Sequence, residues 1–495
     1  MTRKPVSGPR TRALQALLLI LLGGALGVAV YAPASSQSQP YVFDKGYPTP
    51  ETTRRVYDEA DLNRAIQAYR FFYPSVSMYS GWKGNLAAGM VPNQVFAALQ
   101  GTPKKQVFTA NSDTPYAVMP LDLSTGPMVV ELPPGAIMSV VNDLNQRWVM
   151  DLGLPGPDKG QGGKHLVLPP SYSGGVPAGY FTGTSSTHRA MLMLRALAKG
   201  GDVQAAIALM HTVKVYPLNR PADWKEPRWI SLTGEALDFS SLQVDGRLDY
   251  WKRLHELIDS EPALADYRLY YGELAALGIA KGKPFAPDAR MRGILEQAAH
   301  MGDAQLRVQS LADRRPDRVV WPGRQWEWAS LRPENGTFDT PDYVDLDARE
   351  KWFYQAVLQS PAMFRRTPGA GSLYWMSSHD AKGAYLDGGK TYRLRVPQPL
   401  PERLFWSVTL YDSQTRSQVS TDQQQAALRS LYELKDLPKD GPAELYFGPT
   451  APPGKEHQWI KTQAGRGWFA YLRIYGPTEG AFDGSWMPSD FESVD

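Results

Sequence analysis

The sequence predicts a mainly β protein with a helical segment set between two β-rich regions, and three observations carry that prediction. From Gln106 to Tyr180, short runs alternate apolar and polar residues and are broken by glycine and proline, as strands and turns require. From about Asp245 to Asp313 the apolar residues recur at spacings of three and four, which places them on one side of a helix. From Thr391 to Pro477 the period of two returns.

The bulk composition agrees with a folded protein of several domains. A chain of 495 residues exceeds one ordinary core, and 43% hydrophobic with 21% charged residues is the balance of a globular chain. The formal net charge is +3, but Arg3, Lys4, Arg10 and Arg12 supply four positive charges and residues 1–34 contain no acid. Without that segment the remainder carries −1, which argues against a nucleic-acid partner. The basic start, the uncharged run Ala13–Tyr31 and the small residues Ala32-Pro33-Ala34 match a secretory signal peptide cleaved after about Ala34. The expected location is therefore periplasmic or secreted. An uncleaved inner-membrane anchor is the alternative, and would be the chain's one membrane contact. No cysteine is present, so disulfides, thiolate nucleophiles and lipid-modified cysteines are excluded.

The elements follow in order. Residues 1–34 form the signal peptide and 35–60 a polar linker. A β-sandwich domain is expected over 61–225, opened by a helix capped at Asp61 and running to about Tyr73, where Leu62, Ala65, Ile66, Tyr69 and Phe72 fall at helical spacing. Met128–Leu132, Ile137–Val141 and His165–Leu168 read as strands, and Gly153–Gly163 (GLPGPDKGQGG) as a loop. The helical segment spans 226–347, with stripes at Leu248, Trp251, Leu254 and Leu257, at Leu274 and Leu277, and a third helix opened by Pro287-Asp288. Residues 348–495 form the second β-rich domain after a helix at Ala348–Leu358.

The C-terminal region holds the most telling pattern. Tyr392, Leu394 and Val396 form one apolar row, a proline-rich corner follows at 397–401, and Leu404, Trp406, Val408 and Leu410 form the next row. The opposite side of that second strand carries Phe405, Ser407, Thr409 and Tyr411. Residues 468–475 repeat the scheme: Trp468, Ala470, Leu472 and Ile474 alternate with Phe469, Tyr471, Arg473 and Tyr475. Two such strands, aliphatic on one side and aromatic-polar on the other, predict two walls of one cavity.

These segments resemble two bacterial families of uncharacterised domains, DUF1254 and DUF1214, which occur together in one chain. Phe108-Thr-Ala-Asn-Ser-Asp-Thr-Pro-Tyr116, Leu121-Asp-Leu123, Gly126-Pro127 and Leu166–Pro170 carry the first likeness. Leu386-Asp-Gly388, Lys390, Tyr392, Phe405–Asp412, Thr415-Arg416-Ser417, Tyr471–Pro477 and Trp486 carry the second. The resemblance implies an immunoglobulin-like β-sandwich, a helical segment and a jelly-roll β-sandwich. It implies no agreed activity.

Standard catalytic signatures are absent: no G-x-S-x-G, no H-E-x-x-H, no phosphate loop and no strand-anchored G-x-G-x-x-G. Seven scattered histidines leave no pair at metal-ligand spacing, so no metal residue is nominated, and no motif names a cofactor. The candidate acid/base residues are Tyr411, Asp387, Lys390 and Asp113. Asp387 with Lys390 is either an acid/base pair or a turn closed by a salt bridge. Asp113 lies in Asn-Ser-Asp-Thr-Pro, which is equally a turn whose side chains bond their own backbone. Ligand-contact candidates are Ser407, Trp406, Asp412, Arg416, Arg473, Tyr475 and Asn111. A buried Arg473 would need a counter-charge, either Asp412 or the carboxylate of a ligand. Asn142, Asp143, Arg147 and Asp151 form either a polar pocket or an ion-paired loop. Two functions fit: an enzyme using acid/base chemistry on a small organic or carbohydrate-like substrate, or a non-catalytic envelope protein binding a small molecule or carbohydrate ligand. Self-association into a homo-oligomer stays open.

Overall fold

Helix formation begins earlier and ends later than the apolar spacing suggests. In the computed structural model, which describes residues 40–332, 337–369, 371–438 and 440–494, helix α1 runs Pro50–Ala87. Pro50 sits in the first turn, where the missing N–H costs nothing, and Thr49 Oγ1 accepts from the Thr52 amide at 3.3 Å. Pro74 lies inside the helix and would ordinarily end it. It does not, because the turns on both sides are buried all round: Tyr69, Phe72, Tyr73, Val76 and Trp82 are all core residues. The expected signal peptide and its cleavage point lie outside the described residues. No described helix is long and apolar enough to cross a membrane.

The chain divides into two units, Met1–Arg55 and Val56–Asp495. In the first, Phe43–Asp44 pairs with Tyr47–Pro48 as a short antiparallel hairpin, and the Arg55 guanidinium lies 4.2 Å from the Tyr41 ring centre.

The second unit holds two pairs of sheets, a two-stranded parallel ribbon of Lys105–Gln106 and Leu237–Asp238, and a helical layer. A six-stranded sheet is built from β1 (Val95–Leu99), β2 (Tyr116–Asp122), β3 (Ile137–Asp143), β4 (Trp148–Gly153), β5 (Arg189–Ala196) and β6 (Arg228–Ser231), in the order β6-β1-β2-β5-β3-β4. One side of it shares a core with a four-stranded sheet containing Met128–Leu132 and Gly163–Leu168. Along β5 the alternation is complete: Leu192, Leu194 and Ala196 enter that core, while Met191, Met193 and Arg195 face the other way. Each leucine so buried stabilises the fold by about 1.5–3 kcal/mol.

The helical layer combines α1 with α2 (Leu248–Ser260), α3 (Ala289–Leu311) and α4 (Leu346–Gln355). Its core joins Ala65, Tyr69 and Phe72 of α1 to Trp251, Leu254, Leu295, Ala298 and Tyr354. Asp288 caps α3, its carboxylate accepting from the Met291 amide at 2.7 Å, as the Pro-Asp signal predicts. Helix and strand take equal shares of the structure, so the mainly β expectation holds only in part. The length of α1 is the largest single reason.

The C-terminal sheet contains β7 (Glu327–Trp328), β8 (Ser372–Ser377), β9 (Glu402–Asp412), β10 (Ala427–Arg429) and β11 (Trp468–Pro477), ordered β7-β8-β11-β9-β10. Tyr392–Val396 belongs to a different, four-stranded sheet, so the proline-rich corner carries the chain from one sheet to the other. The two strands of matching pattern, β9 and β11, are direct antiparallel neighbours, with Ser407 opposite Arg473 and Phe405 opposite Tyr475. They therefore form one wall together, not two facing walls. Their aliphatic side, with Trp406, Val408, Leu472 and Ile474, fills the core shared with the other C-terminal sheet.

Candidate functional site: a cavity between two sheets

The second wall comes from the six-stranded sheet. Its outer side and the aromatic side of the C-terminal sheet enclose a cavity of about 220 Å³. The floor is read directly from strand register. Val118, Met193, Val140 and Asp151 form one cross-strand row over β2, β5, β3 and β4, and Tyr116, Arg195 and Met138 form the next. Above them stand Tyr374 of β8 and Tyr471, Arg473 and Tyr475 of β11. Ser77, Met78 and Gly81 of α1, the loop Phe108–Asn111 and residues 356–358 after α4 close the sides. The lining is dominated by methionine, valine, leucine and aromatic side chains.

Arg473 is the anomaly in this apolar space. It is 3% exposed, and its Nη2 donates to the Thr109 carbonyl at 2.7 Å. Among the described residues nothing accepts from Nε or Nη1. The rings of Tyr471, Tyr374 and Tyr411 lie 4.9, 5.4 and 5.5 Å from the guanidinium. Those ring faces offset part of the cost of burying the charge but do not satisfy its N–H donors. Asp113 acts on Arg473 electrostatically without a hydrogen bond to it: its Oδ2 accepts from the Tyr475 hydroxyl at 2.9 Å, and its Oδ1 has no partner among the described residues.

Arg195 brings a second guanidinium to the same end. Its Nε donates to Thr114 Oγ1 at 2.9 Å and its Nη2 to the Tyr475 hydroxyl at 3.4 Å. The Tyr475 hydroxyl thus links Arg195 to Asp113. Burial, and next the Asp113 carboxylate, hold the Tyr475 phenol well above its ordinary pKa. It serves as a donor and not as a base.

The loop carrying Phe108–Tyr116 is fastened to the C-terminal sheet. Tyr411 Oη donates to the Thr109 and Ala110 carbonyls at 3.2 and 2.8 Å, Gln418 to Ala110 at 3.1 Å, and Arg429 to the Ser112 carbonyl at 2.7 Å. Thr109 is held at φ 42°, a left-handed conformation that threonine adopts only when surroundings enforce it. Beside it, a Cβ on Gly101 would lie 2.0 Å from the Asn111 carbonyl oxygen, so only glycine fits. The motif that resembles the first family is therefore the surface against which the second half docks.

Asp151 marks another part of the cavity. It is 5% exposed, and its Oδ1 has no hydrogen-bond partner among the described residues. Burial pushes its carboxyl up to about 7, a cost only partly eased by Trp148 and Ser360 nearby.

The sequence-derived candidates separate into three groups. Arg473, Tyr475 and Asn111 line the cavity, with Asp113 directly behind Tyr475. Asp113 also makes the expected turn, its amide donating to Asn111 Oδ1 at 3.1 Å. Ser407 and Tyr411 share the aromatic side but not the lining: Ser407 is beside Arg473 with its hydroxyl unpartnered among the described residues, and Tyr411 is committed to the loop carbonyls. The remaining candidates lie elsewhere. Asp387 and Lys390 are exposed in a turn, where Asp387 accepts from the Gly389 amide at 2.8 Å. Asp412 accepts from the amides of Gln414 and Thr415 and pairs with Arg466 at 2.7 Å, so it is not the counter-charge of Arg473. Arg416 is buried against Asp245 at 2.8 Å and the Tyr73 hydroxyl at 2.7 Å, as a tie between the β9 turn and the helices. Trp406 belongs to the opposite core.

Arg195 and Tyr374 carry no sequence signal that marks them, whereas Tyr471 lies in the aromatic row of residues 468–475 without being a nominated contact. On the strand holding Arg195, Met191–Leu194 reads as an unbroken apolar run that gives no sign of which residues face a cavity, and Arg195 comes only at its end. Asp151 was grouped with a polar loop, but lies on β4, whereas Asn142 and Asp143 make structural bonds to Gln359 and to the Asn145 and Arg147 amides. Among the described residues no cluster of three or more histidine, aspartate or glutamate side chains is placed to hold a metal ion.

Residues 92–217 match the family described as a protein of unknown function, DUF1254, and residues 371–479 match a second so described, DUF1214. They stand in the order the resemblance implies. Among solved structures the chain is similar to the VPA0106 protein from Vibrio parahaemolyticus, at 17% identity and a TM-score of 0.55, over 88% of this chain and 100% of that one. It is also similar to an uncharacterized protein from Burkholderia cenocepacia, at 13% identity and a TM-score of 0.37, over 90% of each chain. The first likeness extends to the fold alone. No curated protein matches the chain in sequence.

Proposed function

We propose that this chain, a DUF1254 segment followed by a DUF1214 segment, binds a small organic anion with an apolar body, its carboxylate seated at Arg473. One observation carries the reading: a guanidinium 3% exposed in a largely apolar cavity, with Nε and Nη1 lacking acceptors among the described residues. A buried charge left in that state is costly, and a carboxylate can take one of these free donors together with the second N–H of Nη2 in a fork. A glycan fits less well, because its many hydroxyls would each need a partner that the methionine and valine floor does not supply.

Acid/base chemistry on the bound ligand is a second reading, favoured by Asp151. A cavity carboxyl pushed up to about 7 is near the value a general acid or base needs at neutral pH. Tyr411 is poorly suited to that role, since burial raises its phenol and its proton is given to backbone carbonyls.

The finer fold, an immunoglobulin-like sandwich and a jelly roll, belongs to the same proposal and is supported by the core each sheet pair shares. So does export to the periplasm or beyond, supported by the N-terminal sequence and the lack of cysteine. The binding reading is tested by native mass spectrometry of protein incubated with an alkanoate of about eight carbons or the matching alkanol, with binding saturation for each. The alkanoate is expected to bind at least tenfold more tightly. Equal affinity for the alkanol would remove the carboxylate from the proposal.

A further inference from the structure

We propose that the ligand is bifunctional: besides the carboxylate at Arg473 it carries a terminal hydroxyl that is bound by Asp151. This deepens the reading of the cavity as a carboxylate site and rests on it. Asp151 lines the cavity, is 5% exposed, and keeps Oδ1 without a partner among the described residues. Asp143 has both oxygens bonded, to Ser186 and to backbone amides. Asp158 and Asp113 each also keep one oxygen without a partner among the described residues, but neither lines the cavity, whereas Asp151 does. Asp151 is thus a buried acid whose free oxygen belongs to a ligand space.

The spacing defines the ligand class. Arg195 sits two strands and two residues away from Asp151, since Asp151 opposes Val140, Val140 opposes Met193, and Arg195 follows on the same side. With strands about 4.8 Å apart and a rise of about 3.4 Å per residue, the two Cα atoms are separated by roughly 12 Å. Val140, Met193 and Met138 occupy the floor between them. The cavity therefore has guanidinium groups at one end, an apolar middle and a carboxyl at the other. A hydroxyl suits Asp151 because it can donate to the carboxylate or accept from the protonated acid. Arg473 shares the Arg195 end, since both guanidinium groups act on Tyr116 and Tyr475. The class that fits is an ω-hydroxy carboxylic acid with a chain of about six to ten carbons, the length that a floor of roughly 12 Å takes.

The test compares ω-hydroxyalkanoates with plain alkanoates of equal length, from four to fourteen carbons, by titrating the fluorescence of the full chain, in which Trp352 lines the cavity. The hydroxyl is expected to tighten binding about tenfold at six to ten carbons and to confer little at the shortest and longest lengths. In Asp151→Leu the plain alkanoate should bind at least as well as its hydroxylated partner, and in Asp151→Asn the preference should shrink to about threefold. The length dependence needs only the unmodified chain and stands even if a variant does not fold. Equal binding of the two series at every length, with both still weakened by Arg473→Gln, would overturn the bifunctional ligand while leaving the carboxylate site. Binding of both series untouched by Arg473→Gln would overturn the carboxylate site itself.

Discussion

Replacing Asp151 with asparagine should stabilise the protein, and by an amount that depends on pH. The ordinary aspartate value is 3.8, and burial raises Asp151 in the folded state to about 7. Between those values the unfolded chain has lost the proton while the folded chain keeps it. The unfolded state then binds fewer protons, so stability falls as pH rises through this window and is level above about 8. The full gap corresponds to about 4 kcal/mol, of which about 3 kcal/mol develops between pH 5 and pH 8. Asparagine has nearly the shape of the protonated acid and no charge to lose. Urea unfolding of the parent and Asp151→Asn at both pH values measures the double difference, in which Asp143, Asp303 and Glu350, also raised by burial, cancel. The stability advantage of the variant should grow by about 3 kcal/mol from pH 5 to pH 8. An advantage constant within about 0.5 kcal/mol would show that Asp151 is ionised in the folded protein and that the cavity is wetter there than its lining implies.

The candidates outside the cavity give contrasting expectations. Arg416→Met strands the Asp245 carboxylate in the interior and should cost about 3–5 kcal/mol in chemical unfolding. Asp387→Asn and Lys390→Ala alter an exposed turn and should shift stability by no more than about 0.5 kcal/mol, with alkanoate affinity unchanged by titration. Tyr411→Phe removes the donor that holds the Thr109 and Ala110 carbonyls and should cost about 1–2 kcal/mol of stability. Its effect on affinity should stay within about threefold, because the hydroxyl is not part of the lining.

Much of the second unit was legible because its strands alternate strictly. The aliphatic row of β11 and the row of β9 from Trp406 onward enter one core, and their aromatic rows lie together on the other side, as the period of two requires. That these strands would be neighbours in one sheet was not legible, since pairing is a long-range choice and identical patterns suit one wall as well as two. The turn at Asn111–Asp113 could be read because an Asx side chain bonding two residues on is local chemistry. The docking of the C-terminal sheet on that turn could not be read, because it joins residues about three hundred positions apart. Arg473 could be nominated since an arginine in an aromatic row is conspicuous. Arg195 ended a continuous apolar run, and Asp151 followed a polar loop, so neither stood out. Helix α1 exceeded its expected limits because burial on every side carried it past Pro74, a tertiary effect that no local propensity reports.

The central claim is that the Arg473 guanidinium receives a carboxylate inside the cavity. Isothermal titration of an alkanoate of about eight carbons into the parent protein and into Arg473→Gln, each confirmed folded by circular dichroism, addresses it most directly. Truncating one partner of a buried, hydrogen-bonded charge pair costs about 2–5 kcal/mol, so the account predicts a loss of affinity of at least about thirtyfold with stability unchanged or improved. Equal affinity in parent and variant would contradict it, and Arg473 would then be only a fastening between the C-terminal sheet and the Thr109 loop.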